Sequence, residues 1–356
     1  MIVFGCKSRQ KETAVKAVAI DGYGMEHVRF RDVAEPDLRP GEVIVRLRAA
    51  AANHLDLWTV SGSLKIEHHF PHVLGADGAG EIEAVGDGVR GLPPGTRVVI
   101  NPALACGACE FCRAGEQSMC TSFRMLGEHV TGTFAERIAV PAGNLYPIPA
   151  HLSFAEAAAL ATTTVTAYRM LFTRGRMRPG EWILITGIGG GLAQSLFQLA
   201  NSVAGRIFVT SSSDEKIERA IADGAEGGVN YTRDDIGKKV RAFTGKRGVD
   251  LVVDSAGGEA LEAAMRALRK GGRIVIAGAT AGATAAVDLR RVFWNQLEII
   301  GSTMGSAAEF ADMLRMVAGT ELRPVIDRTF RLADGVAALE YLGSGRQTGK
   351  VILEIG

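Results

Sequence analysis

Five short apolar segments in the second part of the chain, each followed by a helical pattern, constrain the fold most strongly. Each segment is continuously apolar and lacks the alternation of polar and apolar side chains that marks a sheet with one face in water. Such strands are covered on both faces, so the chain from about residue 154 onward is predicted to form a parallel sheet with helices on both sides. The five segments are Trp182–Thr186, Arg206–Thr210, Leu251–Asp254, Arg273–Gly278 and Leu297–Ser302.

The preceding part of the chain, from about Val15 to Pro149, has a different pattern. Segments such as Glu42–Ala50, Arg97–Ile100 and Phe134–Val140 are short and strand-like, and the turn sequences RPGE, LPPG and VPAG lie between or after them. This pattern predicts an irregular all-β region. A chain of 356 residues with 47% hydrophobic residues can bury a large core, and its length favours two domains.

The charge and hydropathy of the chain argue against two classes of partner. The chain has 40 basic and 39 acidic side chains and no basic block, so nucleic acid binding is not expected. None of its apolar runs approaches the roughly 18 residues of a membrane helix. The N-terminal segment begins apolar and turns charged, the reverse of a secretory signal. We therefore expect a soluble cytoplasmic protein with a polar extension at residues 1–14, in which Cys6 is an incidental thiol.

A glycine-rich turn directly follows the first buried segment, in the sequence TGIGGGLAQSLFQLANSV. Apolar residues recur at helical spacing after it, so Gly187, Gly189, Gly190 and Gly191 occupy a strand-to-helix turn. Such a turn binds a dinucleotide pyrophosphate, because small residues allow close approach and the helix N-terminus supplies unpaired N–H groups. Leu192 stands where the third glycine of G-x-G-x-x-G would fall, and a register of Gly187, Gly190, Gly191 and Ala193 suits the chain better.

The residues after the next buried segment bear on the choice of cofactor. An NAD-preferring site has a carboxylate there for the adenosine 2′-hydroxyl, whereas this chain has Ser211 and Ser212, followed by Lys216. Hydroxyls and an ammonium can accept a 2′-phosphate, so NADP(H) is predicted over NAD(H). A plain serine-rich turn, or an Asp214 that swings in to select NAD(H), remains the alternative.

Four of the five cysteines fall in one stretch with the spacing C-x₂-C-x₂-C-x₇-C. Without an export signal, this spacing favours a metal site over disulfides. Four thiolates fill a tetrahedral zinc and leave no open position, so the expected site is structural and stabilises a lobe at about residues 101–125. Four unliganded thiols are the alternative. The predicted ligands are Cys106, Cys109, Cys112 and Cys120.

Together these features resemble the medium-chain dehydrogenase/reductase superfamily, which includes zinc alcohol dehydrogenases and quinone oxidoreductases. The resemblance rests on GEVIVRLRAAAANHLDLW, VLGADGAGEIEAVG, the four-cysteine lobe, TGIGGGLAQSLFQLA, GVDLVVDSAGG and GGRIVIAGAT. It implies an α/β fold with a GroES-like β domain at residues 15–157, a Rossmann domain at 158–302 and a C-terminal return at 303–356. It also implies an active site in the cleft between the domains, a last strand in TGKVILEIG, and a homodimer or homotetramer that pairs across LEIIGST.

The chain departs from the zinc alcohol dehydrogenases at the catalytic metal. The resemblance places the family's catalytic zinc ligands at Asn53, Ala76 and Thr162, none of which is an imidazole, thiolate or carboxylate. Without a Lewis acid, an alcohol does not readily become the alkoxide that loses hydride at neutral pH. A quinone or an α,β-unsaturated carbonyl accepts hydride more easily, because hydrogen-bond donors can stabilise the charge that moves onto its oxygen.

These arguments predict an NADPH-dependent reductase of quinones or α,β-unsaturated carbonyls, with a structural zinc and without a catalytic one. One alternative is a zinc-dependent alcohol or aldehyde dehydrogenase with a substitute metal site, and another is an NADP(H)-binding protein without turnover. The substitute ligands would come from His54, Asp56, Asp77, His68, His69 and His72.

The resemblance also assigns roles to individual residues. Asn53 would donate to the substrate oxygen or orient it, or else only fix its loop. Among the other residues predicted at the catalytic site, Asp56 has a structural more than a catalytic role, Trp58 shapes an apolar pocket, and Thr162 stands at a former ligand position. Phe293 and Trp294 either help to shape this pocket from the second domain or belong to the core. The predicted cofactor contacts beyond the glycine turn and the serines are His54 and Lys350 near the pyrophosphate, Thr166 on the nicotinamide face and Tyr231 near the adenine. No residue is a convincing general acid.

Overall fold

The structure is a computed structural model that describes residues 14–356. The predicted N-terminal extension, with Cys6, lies outside the described residues except for Ala14, which begins the first strand. The first part of the chain forms ten strands and two short helices. The strands are β1 Ala14–Ile20, β2 Val28–Ala34, β3 Glu42–Ala52, β4 His72–Val73, β5 Asp77–Val85, β6 Arg97–Ile100, β7 Ala103–Leu104, β8 Arg124–Met125, β9 Arg137–Pro141 and β10 Leu145–Pro147, and the helices are α1 His54–Ser61 and α2 Glu110–Arg113.

The longest strand, β3, shows how the first domain is packed. Along its first half Val43, Val45 and Leu47 are buried while Arg46 and Arg48 are less so, as the period of two in a strand requires. Along its second half every residue from 49 to 52 is a buried alanine, because the other face of the sheet is covered there by a helix. The small side chains allow that helix to pack closely against the sheet.

That helix, α3 Phe154–Tyr168, connects the two domains. It begins at the Ser153 N-cap, whose hydroxyl accepts from the Glu156 N–H while the Glu156 carboxylate accepts from the Ser153 N–H. A π-helical turn, Arg169–Arg174, continues it. Arg169 is 3% exposed, and its guanidinium pairs with Glu116 of the cysteine-rich lobe at 2.6 Å and with Glu309 at 2.7 Å.

The second domain is the parallel α/β unit that the apolar segments predict, and the predicted fold class is confirmed. Its six-stranded sheet has the order β13-β12-β11-β14-β15-β16, and every neighbouring pair is parallel. The order reverses between β11 and β14, which is where ligands bind in such sheets. The elements are β11 Trp182–Ile185, α4 Gly191–Ser202, β12 Arg206–Ser211, α5 Asp214–Ala222, β13 Gly227–Asn230, α6 Ile236–Phe243, β14 Val249–Asp254, α7 Gly258–Met265, β15 Leu268–Ile276, α8 Leu289–Asn295 and β16 Glu298–Gly301.

The chain then returns to the first domain. Its last elements are α9 Ala307–Thr320, β17 Ile326–Arg331, α10 Gly335–Gly343 and β18 Lys350–Glu354. Strand β18 pairs with β3 in antiparallel register, with Val351 opposite Ala52. The main sheet of the first domain therefore has the order β10-β6-β5-β3-β18-β17, with β9 also paired to β3.

The outer edge of the Rossmann sheet is apolar and exposed. Strand β16 ends the sheet, and Ile299 on it is 45% exposed. On the neighbouring helix α8, Phe293 and Trp294 are 66% and 73% exposed. Neither aromatic residue lines the cleft between the domains, and both are exposed, so they neither shape the substrate pocket nor belong to the core as expected. Within residues 14–356 no helix combines the length and apolar character needed to cross a membrane.

Candidate active site

The cleft between the two domains has a volume of about 430 Å³. It gathers every predicted catalytic and cofactor-binding residue except Asp56. These lining residues are Asn53, His54, Trp58, Thr162, Thr166, Gly187, Gly189, Gly190, Gly191, Leu192, Ser211, Ser212, Lys216, Tyr231 and Lys350.

Sequence reasoning missed part of this wall. Ser255 and Ala256 follow β14, Ala277 and Gly278 follow β15, and Met304 lies just past β16. The carboxyl ends of parallel strands meet at one edge of a sheet, so the residues directly after each buried segment could have been predicted as lining.

The glycine-rich turn leaves room for a dinucleotide. Gly187 has a φ of +66°, and a Cβ at Gly187 or Gly190 would meet little or nothing, so the space above the turn is open. Helix α4 begins at Gly191, and its N-cap, Gly190, supplies no side chain to the first N–H groups. Those N–H groups are therefore available to a pyrophosphate. In the same cleft Gln347 has a buried Oε1 atom without a hydrogen-bond partner among the described residues, which a bound cofactor could satisfy.

Two glycines of the turn also make room for lysine side chains. A Cβ at Gly189 would lie 2.8 Å from Lys216 Nζ, and one at Gly191 would lie 2.7 Å from Lys350 Cδ. Lys216, in the first turn of α5, donates to the carbonyl oxygens of Gly345 at 3.3 Å and Gln347 at 2.8 Å. It thus joins the Rossmann domain to the C-terminal return across the cleft.

The acidic residue that follows β12, Asp214 at the start of α5, is hydrogen-bonded by two neighbouring side chains. Arg233 donates to both Asp214 oxygens at 2.6 and 2.7 Å, and Asn230 Nδ2 donates at 3.1 Å. Hydrogen bonds from Arg233 and then Asn230 lower the pKa of Asp214. The hydroxyl-bearing Ser211 and Ser212 line the cleft there, beside a 47% exposed Tyr231.

Asn53 and Thr162, two of the positions that the resemblance assigns to the family's catalytic zinc, contact a buried carboxylate, and Asn53 also contacts an ammonium. Asp77 Oδ1 accepts from Thr162 N at 2.9 Å and from Thr162 Oγ1 at 2.5 Å. Asp77 Oδ2 accepts from Asn53 Nδ2 at 2.9 Å and from Lys350 Nζ at 3.0 Å. Lys350 Nζ also donates to Asn53 Oδ1 at 2.6 Å. We call Asn53, Asp77, Thr162 and Lys350 the Lys350 cluster.

This cluster changes what two predicted residues can do. Both Asn53 Nδ2 protons are used inside the protein, on Asp77 and on the Ala51 carbonyl at 3.3 Å, so the amide is not left as a donor to substrate. Lys350, expected near the pyrophosphate, instead directs Nζ to Asn53 and Asp77. The reason is strand register: because Val351 lies opposite Ala52, Lys350 comes beside Asn53.

Asp56 and His54 lie at the start of α1. Asp56 is 1% exposed and accepts from Asn53 N at 2.7 Å and Gly75 N at 3.1 Å, so it holds two backbone segments together and lies outside the cleft. Burial raises the pKa of Asp56 to about 7. Burial and then the charge of Lys350 lower the pKa of His54, which disfavours the charged form of this histidine.

The four cysteines of the lobe converge, with all Sγ atoms within 4.8 Å of one another. Cys106 Sγ and Cys112 Sγ are 3.9 Å apart, close to the roughly 3.8 Å edge of a tetrahedron with zinc–sulfur bonds of about 2.3 Å. Backbone N–H groups point at the sulfurs, and those of Cys112 and Thr121 lower the pKa of Cys109 to about 6. The donor set and its spacing fit a closed zinc site.

No second metal-ligating group of three or more His, Cys, Asp or Glu side chains is found in residues 14–356. The substitute ligand set proposed for a catalytic zinc is therefore not assembled. His68 Nε2 bonds to the Glu128 carbonyl at 2.6 Å and His72 Nε2 to the Gly127 carbonyl at 3.1 Å.

Comparison with known proteins places this architecture in a family. The family described as alcohol dehydrogenase GroES-like domain matches residues 39–150, and the one described as zinc-binding dehydrogenase matches residues 191–319. An alcohol dehydrogenase of Geobacillus stearothermophilus is 31% identical over 344 residues, covering 96% of this chain and 100% of its own. An acryloyl-coenzyme A reductase of Metallosphaera sedula is 30% identical over 341 residues, covering 95% and 99%.

Among solved structures, one described as an NAD-dependent alcohol dehydrogenase is 41% identical with a TM-score of 0.91, and covers 96% of this chain and 100% of its own. The two family matches divide the chain as the two domains do, and the relatives align over nearly their full lengths. The chain belongs to the medium-chain dehydrogenase/reductase superfamily of oxidoreductases.

Proposed function

We propose that this oxidoreductase uses NADPH to reduce an α,β-unsaturated carbonyl compound or a quinone, without a catalytic zinc. The observation that carries the proposal is the Lys350 cluster. The family's ligand positions hold Asn53, Ala76 and Thr162, and an ammonium lies 2.6 Å from Asn53. A cation at this position repels a metal cation, and Asn53, Ala76 and Thr162 are poor zinc ligands. The carboxylate of the cluster, Asp77, is already engaged by Lys350, Asn53 and Thr162. The relative named for acryloyl-coenzyme A supports an alkene next to a carbonyl as the acceptor.

The cofactor is proposed to lie along the glycine-rich turn, with its 2′-phosphate near Ser211, Ser212 and Lys216. NADPH, when bound, supplies the hydride. Asp214 is engaged by Arg233, which supports NADP(H) over NAD(H). Thr166 donates to the Thr162 carbonyl at 2.6 Å and is thereby fixed in the cleft wall near Trp58, where these residues shape the place for the nicotinamide and the acceptor.

The four-cysteine lobe is proposed to bind a single structural zinc. Four thiolates complete a tetrahedron, so the metal would have no position for substrate. Its contribution would be to folding, because the lobe contains only short helices and two-residue strands.

The test combines metal content with a panel of acceptors. Zinc is measured by mass spectrometry on wild type and on Cys109→Ala, and NADPH oxidation is followed at 340 nm with enones, quinones and enoyl thioesters. We expect a single zinc that the variant loses, and NADPH consumption with at least one activated acceptor. A second zinc that survives Cys109→Ala, together with oxidation of simple alcohols, would overturn the proposal.

A specific observation favours a second candidate, an NAD(H)-dependent alcohol dehydrogenase. The solved structure that is 41% identical carries that description. The same panel, run in the oxidative direction with alcohols and NAD⁺ or NADP⁺, separates the two candidates. Binding of NADPH with no turnover in either direction would identify a nucleotide-binding protein.

Two copies of the chain are proposed to pair across the edge strand β16. The support is the exposed apolar surface formed by Ile299 on this strand and by Leu289 and Trp294 on α8. Light scattering on wild type and Trp294→Glu tests it, and we expect a dimer that the substitution weakens.

A further inference from the structure

We propose that the Lys350 ammonium is a catalytic residue that binds the carbonyl oxygen of the acceptor and stabilises the negative charge that develops there. In this role a side chain of the last strand takes the place of the family's catalytic metal. The inference rests on the proposed function and adds to it the group that makes reduction feasible.

The hydrogen-bond geometry leaves one donor of Lys350 for a ligand. A lysine ammonium has three protons, and two of them are directed to Asn53 Oδ1 at 2.6 Å and Asp77 Oδ2 at 3.0 Å. Lys350 also lines the cleft with Thr162 and Trp58, although its side chain is only 5% exposed. A carbonyl oxygen in the cleft can therefore accept a hydrogen bond from the third N–H group of Lys350.

The ammonium is held rigidly, which is what electrostatic stabilisation of a reaction requires. Asp77 is fully buried and is itself fixed by two donors from Thr162. Asn53 is fixed by its bonds to Asp77 and Ala51. Along the lysine stem, Gly191 provides the space, since a Cβ there would come within 2.7 Å of Lys350 Cδ. Asp77 compensates for the buried positive charge, so Asn53, Asp77 and Gly191 act as positioning residues.

Reduction of the acceptor places negative charge on its carbonyl oxygen, to which Lys350 can donate a hydrogen bond. Reduction of an α,β-unsaturated carbonyl with NADPH as reductant adds hydride with its electron pair to the β-carbon. The alkene pair then moves into the bond between the α-carbon and the carbonyl carbon, and the carbonyl pair moves onto oxygen to form an enolate. Lys350 donates a hydrogen bond to this oxygen and keeps its proton. The α-carbon afterwards takes a proton from water, which completes the saturated carbonyl.

The experiment compares four variants of the full-length protein with wild type. Lys350→Met removes the charge, and Lys350→Arg retains it. Since Lys350→Met leaves a buried carboxylate unpaired and can fail to fold, the double variant Asp77→Asn, Lys350→Met replaces the pair with neutral groups. Lys239→Met, an exposed lysine on α6 outside the cleft, is the matched control.

Four quantities are measured: kcat and KM for an enone, the Kd of NADPH from its fluorescence, and the ionisation of 4-nitrophenol bound to the NADP⁺ complex. The nitrophenolate anion absorbs visible light and mimics an enolate oxygen, so its ionisation reports on Lys350 without turnover. We expect the double variant to lose on the order of 10² to 10³ in kcat, to bind NADPH within about threefold of wild type, and to lose the ionised nitrophenol. Lys350→Arg is expected to keep part of the wild-type kcat and part of the ionised nitrophenol.

Two results would overturn the inference. The first is a folded double variant that keeps kcat and ionised nitrophenol near the values of wild type and Lys239→Met, which would make Lys350 structural. The second is a rise of more than tenfold in the Kd of NADPH with unchanged kcat, which would assign Lys350 to the cofactor. If wild type reduces no activated acceptor, the proposed function fails, and nitrophenol ionisation then decides the role of Lys350 by itself.

Discussion

The cysteine lobe and the Lys350 cluster each direct several polar side chains at one point, but the chain assembles them in opposite ways. The four cysteines fall within one short stretch and lie partly at the surface. The Lys350 cluster draws on β5, α3, β18 and the residue before α1, and its members are largely buried. The first site depends on local spacing and, in the proposed function, on a bound zinc. The second depends on the complete fold, because only strand pairing between β18 and β3 brings its lysine into place.

The largest expected effect tests the local site. Cys109→Ala removes one thiolate, and zinc binding in small structural sites contributes on the order of 10 kcal/mol. We expect the variant to lose its zinc and to unfold at a lower temperature, measured by mass spectrometry and circular dichroism. Cys6→Ala, a cysteine outside the cluster, serves as control. Loss of zinc without a change in thermal unfolding would show that the metal is not part of the scaffold.

The second prediction concerns the ion pair of the distributed site. Lys350→Met leaves Asp77 buried without its cation, which we expect to cost about 3–5 kcal/mol in the free energy of unfolding. Adding Asp77→Asn should recover most of this loss, because a neutral buried pair is far less costly than a lone charge. Urea unfolding of the two variants and wild type measures the difference. Equal stability of the single and double variants would contradict the pairing.

A third prediction uses the pH dependence of Asp56, which lies beneath the cluster. Its pKa is raised from an ordinary 3.8 to about 7 in the folded chain. The folded state therefore binds the proton of Asp56 more tightly than the unfolded state. The resulting contribution of Asp56 to the free energy of unfolding is fully present below pH 4 and is lost as pH rises through 7. Relative to Asp56→Asn, wild type should lose up to roughly 4 kcal/mol between pH 4 and pH 8. A constant difference across this range would contradict the shift.

The smallest effect is expected at the adenosine end of the cleft, where Arg233 pairs with Asp214 at the surface. Arg233→Ala frees a carboxylate that repels a 2′-phosphate and removes a cation that attracts it. Because exposed ion pairs are weak, we expect the preference for NADPH over NADH in kcat/KM to fall by about three- to tenfold. Arg219→Ala, which removes an exposed arginine elsewhere on α5, is the control. An unchanged preference would leave Asp214 without influence on cofactor choice.

What could be predicted from the sequence follows the same division between local and distributed features. The buried strands, the glycine turn and the cysteine spacing each depend on a short stretch of sequence. They could therefore be predicted, and the predicted fold class is confirmed. The position of Lys350 could not be predicted, because its partner Asn53 is 297 residues away and only strand register brings them together. The engagement of Asp214 by Arg233 and the lowered pKa of His54 likewise depend on packing and burial that no short motif reveals.

The buried Arg169 ties the cysteine lobe to α9 of the C-terminal return, since it pairs with Glu116 on one side and with Glu309 on the other. If the lobe or α9 moved away alone, Arg169 would lose one of its two carboxylate partners while it stayed buried. We therefore expect the local fluctuations of the lobe and α9 to be coupled. The lobe and α9 should therefore exchange their amide hydrogens as one cooperative unit. The cysteine lobe, which looks like an appendage in sequence, should thus open only together with a helix that lies about 190 residues further along the chain.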